Sequence, residues 1–311
     1  MGRAASKLVP MHTALLFCAV AGALVCRSSG AALSRPHRRP RQLVASADPS
    51  TPTTDHDFDA ALAFLLEHQP ARDNGTIPTP VLHEGVRLAL QARKETSWGP
   101  TVPWELFLND VLPYASLAEP RENWRPRLHA LCAPLVANTS SPGEAALRLN
   151  SKLWPLLNVS FKPLQSPHIS APFETMVNGF ASCTGLAILL VDTCRSVGVP
   201  ARVVAVPEWV GDHDENGHPQ GGGNHAWVEV WSDGGWSFTG AAEPEDKLNA
   251  TWFHPGSTQR QAPGGRHGIY ASSWKPAGAQ FPVGWEGVDA AGLNAEDVTQ
   301  RYLDHAAALP G

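Results

Sequence analysis

Ser182-Cys183-Thr184-Gly185 opens an apolar run that closes on Arg195-Ser196-Val197-Gly198-Val199-Pro200-Ala201-Arg202, and Asn224-His225-Ala226-Trp227-Val228-Glu229-Val230-Trp231 follows it. Ser182 is an N-cap residue type. Behind it Cys183, Leu186, Ala187, Leu190, Cys194 and Val197 recur at helical spacing on one face. Ile188, Leu189 and Val191 are apolar as well, so the predicted helix is buried on several sides. Gly198 and Pro200 end it. Ala201 to Pro207 reads as a strand and His225 to Trp231 alternates into a second. Asp233-Gly234-Gly235 makes a hairpin turn, and Trp236 to Thr239 returns as a third strand. The expected fold class is α+β, with a central helix packed on an antiparallel sheet.

Outward from that centre, Pro163, Pro167, Pro172 and Gly179 predict extended or turning backbone between 161 and 181. Helical patterns over Phe58 to His68, Leu82 to Arg93, Trp104 to Leu112, Pro126 to Val136 and Pro142 to Leu157 make 57–160 a helical N-terminal region. Downstream, Gly211 to Gly223 reads as a loop and Gly268 to Trp274 as a further strand. Ala295 to Ala308 reads as a closing helix, which sets the core at 161–290 and a C-terminal helical segment at 291–311.

Residues 1–41 hold seven basic side chains and no acidic one, and the remainder sets 17 Lys+Arg against 29 Asp+Glu. An acidic body excludes a nucleic-acid partner. Arg3 and Lys7, the apolar stretch Thr13 to Val25 and the small residues Ser28, Gly30, Ala31 and Ala32 read as a signal peptide over 1–32. A Ser/Thr/Pro/Asp-rich linker follows over 33–56. The apolar stretch is short of the ~20 residues a bilayer span needs, so membrane contact is expected only during export. Sequons at Asn74, Asn138, Asn158 and Asn249 suit a glycosylated product of the secretory pathway. The expected location is outside the cell or in the secretory lumen.

Cleavage would leave Cys132, Cys183 and Cys194. Either all three are reduced, or Cys132 pairs with Cys194 and Cys183 stays free. Cys183 and Cys194 cannot bridge, because eleven residues of helix separate them by roughly 16 Å.

A free thiol with a pKa near ~8.5 is mostly protonated at neutral pH, so a nucleophilic cysteine needs help. The N–H groups of a helix N-terminus favour thiolate, and an imidazole from another element can take the proton. Cys183 and His225 have those positions; the plainer alternatives are a small buried thiol and a structural histidine. Asn178, five residues before Cys183, is a candidate oxyanion donor or a turn residue. Arg195 and Arg202 read as structural supports. Asp212-His213-Asp214-Glu215 with His218 fits no zinc or EF-hand spacing, so neither metal nor cofactor is expected.

The stretch from Gly179 to Trp252 resembles the transglutaminase-like superfamily, a branch of the papain-like cysteine enzymes. The likeness rests on Cys183-Thr184-Gly185, Arg195, Gly198-Val199-Pro200-Ala201-Arg202, His225-Ala226-Trp227-Val228-Glu229-Val230 and Trp236. It implies a nucleophilic Cys183, a general base His225 and a third, orienting acid. In the family that acid is usually an aspartate four positions after the tryptophan; here the position is Gly240, and Glu243-Pro244 stands three residues on. Glu243 is the expected replacement.

The implied activity is acyl transfer from an amide, a glutamine side chain or a peptide bond, through a thioester. The substrate is a protein or peptide, and the implied acceptor is an amine or water. The rival expectation is a non-catalytic, glycosylated binding or scaffold domain that keeps the fold.

Overall fold

Proline opens the helices of the N-terminal half. The computed structural model describes residues 55–163, 169–213, 219–220, 222–282 and 292–309. Its first five helices are α1 (Asp55–His68), α2 (Thr79–Glu95), α3 (Trp104–Asp110), α4 (Arg125–Val136) and α5 (Pro142–Leu157). Of these, α2, α4 and α5 carry a proline in the first turn, where the missing N–H would have had no partner. Ser141 caps α5 by accepting the Glu144 N–H.

Then come β1 (Ser160–Phe161), α6 (Pro172–Asn178), β2 (Phe180–Ala181) and α7 (Cys183–Ser196). The chain continues as β3 (Ala201–Val206), β4 (Asp212–His213), β5 (Pro219–Gln220), β6 (His225–Ser232) and β7 (Gly235–Thr239). It closes with β8 (Tyr270–Ser272), β9 (Ala279–Gln280), β10 (Asn294–Asp297) and α8 (Thr299–Ala307).

Helix α7 is the centre, buried from Thr184 to Ser196. Ser182 caps it by accepting the Gly185 N–H at 3.3 Å. Gly185 is glycine because a Cβ there would lie 2.9 Å from that of Ala181 and run into the Ser170 hydroxyl. Helix α7 packs against β3 and β6 of a six-stranded sheet ordered β7-β6-β3-β8-β10-β9, in which every neighbouring pair is antiparallel. The β3–β6 register pairs Val206 with His225 and Ala201 with Val230. Asp233 and Gly234, at φ 54° and 84°, form the tight turn into β7.

Strand alternation splits the apolar residues between two faces. Val203, Ala205, Val228 and Val230 join α7 and the helices α1 to α5 in one core. Val204, Val206, Trp227, Phe238 and Phe253 form a second cluster with Tyr302 of α8. There the Tyr302 hydroxyl accepts the Trp227 indole N–H at 2.6 Å.

Buried arginines serve as braces. Arg195 donates to the carbonyls of Asp110, Ala201 and Ala115, and Arg125 to those of Arg195, Val111, Leu112 and Pro113. Arg202 meets Glu229 at 2.9 Å and Glu296 at 2.8 Å and lies over the Trp236 ring. Arg301 reaches Glu229 from α8 at 2.9 Å.

Two local expectations change. Residues 172–178 form a helix, because Pro172 sits in its first turn and Glu174 accepts the Ala171 N–H at 3.3 Å. Residues 294–297 are a strand, because Ala295, Glu296 and Asp297 pair with Ser272, Ala271 and Tyr270; the closing helix begins only at Thr299. Helices α1 to α5 and the sheet share one core that runs from Ala61 through α7 to Ala295.

Cys132, Cys183 and Cys194 are free thiols. Asn74, Asn138 and Asn158 are exposed, while Asn249 is half-buried and accepts the Phe238 N–H. Residues 1–32, read above as a signal peptide, nearly all of the expected linker 33–56 and residues 214–218 lie outside the described residues. Among the described residues no helix is long and apolar enough to cross a membrane.

Candidate active site

The cap that starts α7 also exposes its first N–H groups to the Cys183 sulfur. The half-buried thiol accepts hydrogen bonds from the backbone N–H of Ala226 and from Thr184. Ala226 directly follows His225, so the sulfur sits at the mouth of β6. Burial outweighs these donors and pushes the thiol above its ordinary range.

His225 opens β6 inside an aromatic box. Ring centroids of Trp252, Phe253, Trp227 and Trp209 lie at 5.1, 5.2, 5.8 and 6.5 Å from its own. Its Nε2 is buried without a partner, and burial lowers the imidazole to about 4. Thiol and imidazole are therefore both neutral at pH 7. Burial works against the thiolate that the helix position favours.

Glu243 comes to the place where the third residue was sought. Gly240 and Glu243 form an isolated bridge, with Ala242 between them at φ 61°. A Cβ built on Gly240 would fall 2.9 Å from both Cβ and Cδ of Glu243 and overlap its Oε2. The glutamate side chain thus fills the space that a side chain at 240 would take. Burial raises its pKa, partly offset by a hydrogen bond from the Trp252 indole. Oε2 is buried and unpartnered. No hydrogen bond joins Glu243 to His225, or His225 to Cys183, among the described residues. Asn178 is the exposed last residue of α6, ahead of Gly179 at φ 72°.

Sequence reasoning missed Asn150. Fully buried in α5, it donates to the Thr239 hydroxyl at 3.0 Å and the Gly240 carbonyl at 2.8 Å. Its Oδ1 accepts the Trp154 indole N–H at 2.8 Å and the Ala242 N–H at 3.2 Å. All four side-chain hydrogen-bonding positions are used, and they fix the turn that carries Glu243. An asparagine set among Ala146, Leu149 and Leu153 on an otherwise apolar helix stripe was the available signal. Among the described residues no three His, Cys, Asp or Glu side chains cluster to hold a metal.

Residues 129–240, from within α4 to the turn at Gly240, match the family described as the transglutaminase-like superfamily. This segment is similar to a transglutaminase-like core. The core contains Cys183 and His225; Glu243 and Trp252 lie just beyond it. No curated protein sequence matches the chain.

Among the solved structures similar to this chain are two bacterial ones. One, from Cytophaga hutchinsonii and described as a "putative cysteine protease", is 18% identical with a TM-score of 0.34, over 50% of this chain and 48% of that one. The other, a "putative protease" from Parabacteroides distasonis, is 14% identical with a TM-score of 0.31, over 61% of this chain and 29% of that one. The chain therefore spans less than half the length of either.

Proposed function

We propose that the transglutaminase-like core is a cysteine acyl-transfer site acting on an amide of a protein or peptide. The observation that carries the reading is the Cys183 sulfur held on the N–H of Ala226, one residue from a neutral His225. A neutral imidazole can accept a proton at pH 7, which an imidazolium cannot.

The Cys183 proton passes to His225 as sulfur attacks the amide carbon. The helix N-terminal N–H groups receive the carbonyl oxygen as it gains charge, with Asn178 the candidate side-chain donor. The C–N bond then breaks, the imidazolium returns its proton to the leaving amine, and a thioester remains. Water or a second amine resolves it, giving hydrolysis or cross-linking. Glu243 is the third member, orienting the imidazole. The amino-terminal sequence and the sequons support a secreted protein.

A second reading, a scaffold that keeps the fold, is favoured by one observation: Glu243 makes no bond to His225. Peptide hydrolysis and amine incorporation, measured with the full chain and with Cys183→Ala, separate the two. Acyl transfer requires that at least one activity be present and vanish with the thiol. No activity, or activity that survives the substitution, leaves the scaffold.

A further inference from the structure

Four asparagines stand in the Asn-X-Ser/Thr pattern, and the fold treats them differently. Asn249 is tied at both ends of its amide: Oδ1 accepts the Phe238 N–H at 2.9 Å and Nδ2 donates to the Ser237 hydroxyl at 3.3 Å. It is half-buried against β7 and holds φ 64°. Asn158 is the opposite case. It is exposed where α5 ends, in the left-handed conformation that asparagine tolerates, and among the described residues no hydrogen bond engages its side-chain amide.

Asn158 also stands beside bare apolar surface. Among the described residues six large apolar side chains are exposed, and three of them, Leu156, Phe161 and Val177, belong to the segments that meet at this sequon. Leu156 and Phe161 flank Asn158 in the chain, and Val177 lies on α6 just before Gly179. The Gly179 carbonyl accepts the Ser160 N–H at 3.1 Å, and a Cβ on Gly179 would meet the Asn158 carbonyl at 3.4 Å. Phe161 is 56% exposed and Val177 84%. Single exposed apolar residues are ordinary on a protein surface; half of the total gathered at one sequon calls for a cover.

Resting on the secreted reading, we propose that Asn158 carries an N-linked glycan whose first sugars cover Leu156, Phe161 and Val177, and that Asn249 carries none. Nδ2 of Asn158 bonds to the anomeric carbon of an N-acetylglucosamine delivered on a lipid diphosphate. The bond from that carbon to the diphosphate oxygen breaks, the lipid diphosphate leaves, and one Nδ2 proton passes to solvent. A pyranose ring presents C–H groups that pack on aromatic and branched aliphatic side chains while its hydroxyls stay in water. The sugar thereby makes soluble a patch that the polypeptide leaves uncovered. At Asn249 the same bond would place a sugar on a nitrogen already held against Ser237.

The test expresses the full chain, with its amino-terminal segment, in mammalian cells. Enzymatic release of N-glycans in heavy-oxygen water leaves a mass-marked aspartate at each former glycan site, which peptide mass spectrometry reads. Asn158 should be marked in most molecules and Asn249 in none, with the exposed Asn74 and Asn138 as internal controls. A bare Asn158 beside a marked control, or a marked Asn249, overturns the proposal. Protein in the medium with no mark anywhere overturns it and leaves export standing; unmarked protein retained inside the cell removes both. The cover is read separately with Ser160→Ala, which deletes the sequon but keeps the asparagine that closes α5, circular dichroism confirming the fold. Its emission with the apolar dye ANS should rise about 2-fold over the glycosylated parent, and adding Phe161→Ser should remove most of that rise. Emission equal to the parent's overturns the cover. Neither readout depends on acyl transfer.

Discussion

Lowering the pH from 7 to 5 should destabilise the fold through His225, and the size of the effect follows from its surroundings. The imidazole is lowered to about 4 by burial among Trp252, Phe253, Trp227 and Trp209. In the unfolded chain it returns to about 6.5. Between those values the unfolded state binds the proton and the folded state does not, so stability falls as pH falls. The contribution is complete above about 6.5 and is lost progressively down to about 4. Integrated from pH 7 to pH 5, one such histidine loses about 2 kcal/mol.

Asp110 works in the opposite sense, since burial raises its carboxyl to about 6 and protonation favours the folded form. Total stability therefore mixes signs, and a difference isolates the histidine. Urea unfolding of the parent and of His225→Gln at pH 7 and pH 5 should show the parent losing about 2 kcal/mol more than the variant over that interval. NMR should place the ring midpoint near 4. Parallel losses in the two proteins would refute the reasoning. So would a midpoint above 6.5, which would mean an ion pair with Cys183 outweighs desolvation.

Three further outcomes are expected. Glu229→Gln removes the carboxylate that Arg202 and Arg301 share and leaves Arg202 buried with only the half-exposed Glu296; urea unfolding should register a loss of about 3–5 kcal/mol, and a loss under about 1 would mean the network is dispensable. Asn150→Leu strips partners from the Trp154 and Ala242 N–H groups and from Thr239 and Gly240. It should lower stability by about 3–5 kcal/mol in the same assay; an unchanged midpoint would contradict the role assigned to it. Gly240→Ala drives a methyl group into Glu243. It should cost about 1–3 kcal/mol and change the Cys183 alkylation profile; a profile identical to the parent's would show that the place of Glu243 is immaterial.

Local pattern carried much of the fold. The helix from Cys183, the strands at 201 and 225 and the Asp233-Gly234 turn follow from caps, apolar spacing and backbone preference, which act over a few residues. Helix 172–178 was obscured because Pro172 reads equally as a turn former. Strand 294–297 was obscured because a four-residue segment becomes a strand only by pairing with β8 and β9.

At the site, residue types and order nominated Cys183 and His225, and the family resemblance nominated Glu243. Their charge states and connections were not legible, because desolvation depends on which residues surround a group. For His225 those are Trp209, Trp227, Trp252 and Phe253, and three of the four are distant from it in the chain.

The sequence by itself determined the central helix on its antiparallel layer and named Cys183 and His225 as candidates for nucleophile and base. Only the tertiary structure decided that His225 is buried among aromatic rings contributed by distant segments and that Glu243 fills the space above Gly240. Short-range backbone preference is written in neighbouring residues; burial and hydrogen-bond partnership arise where distant segments meet.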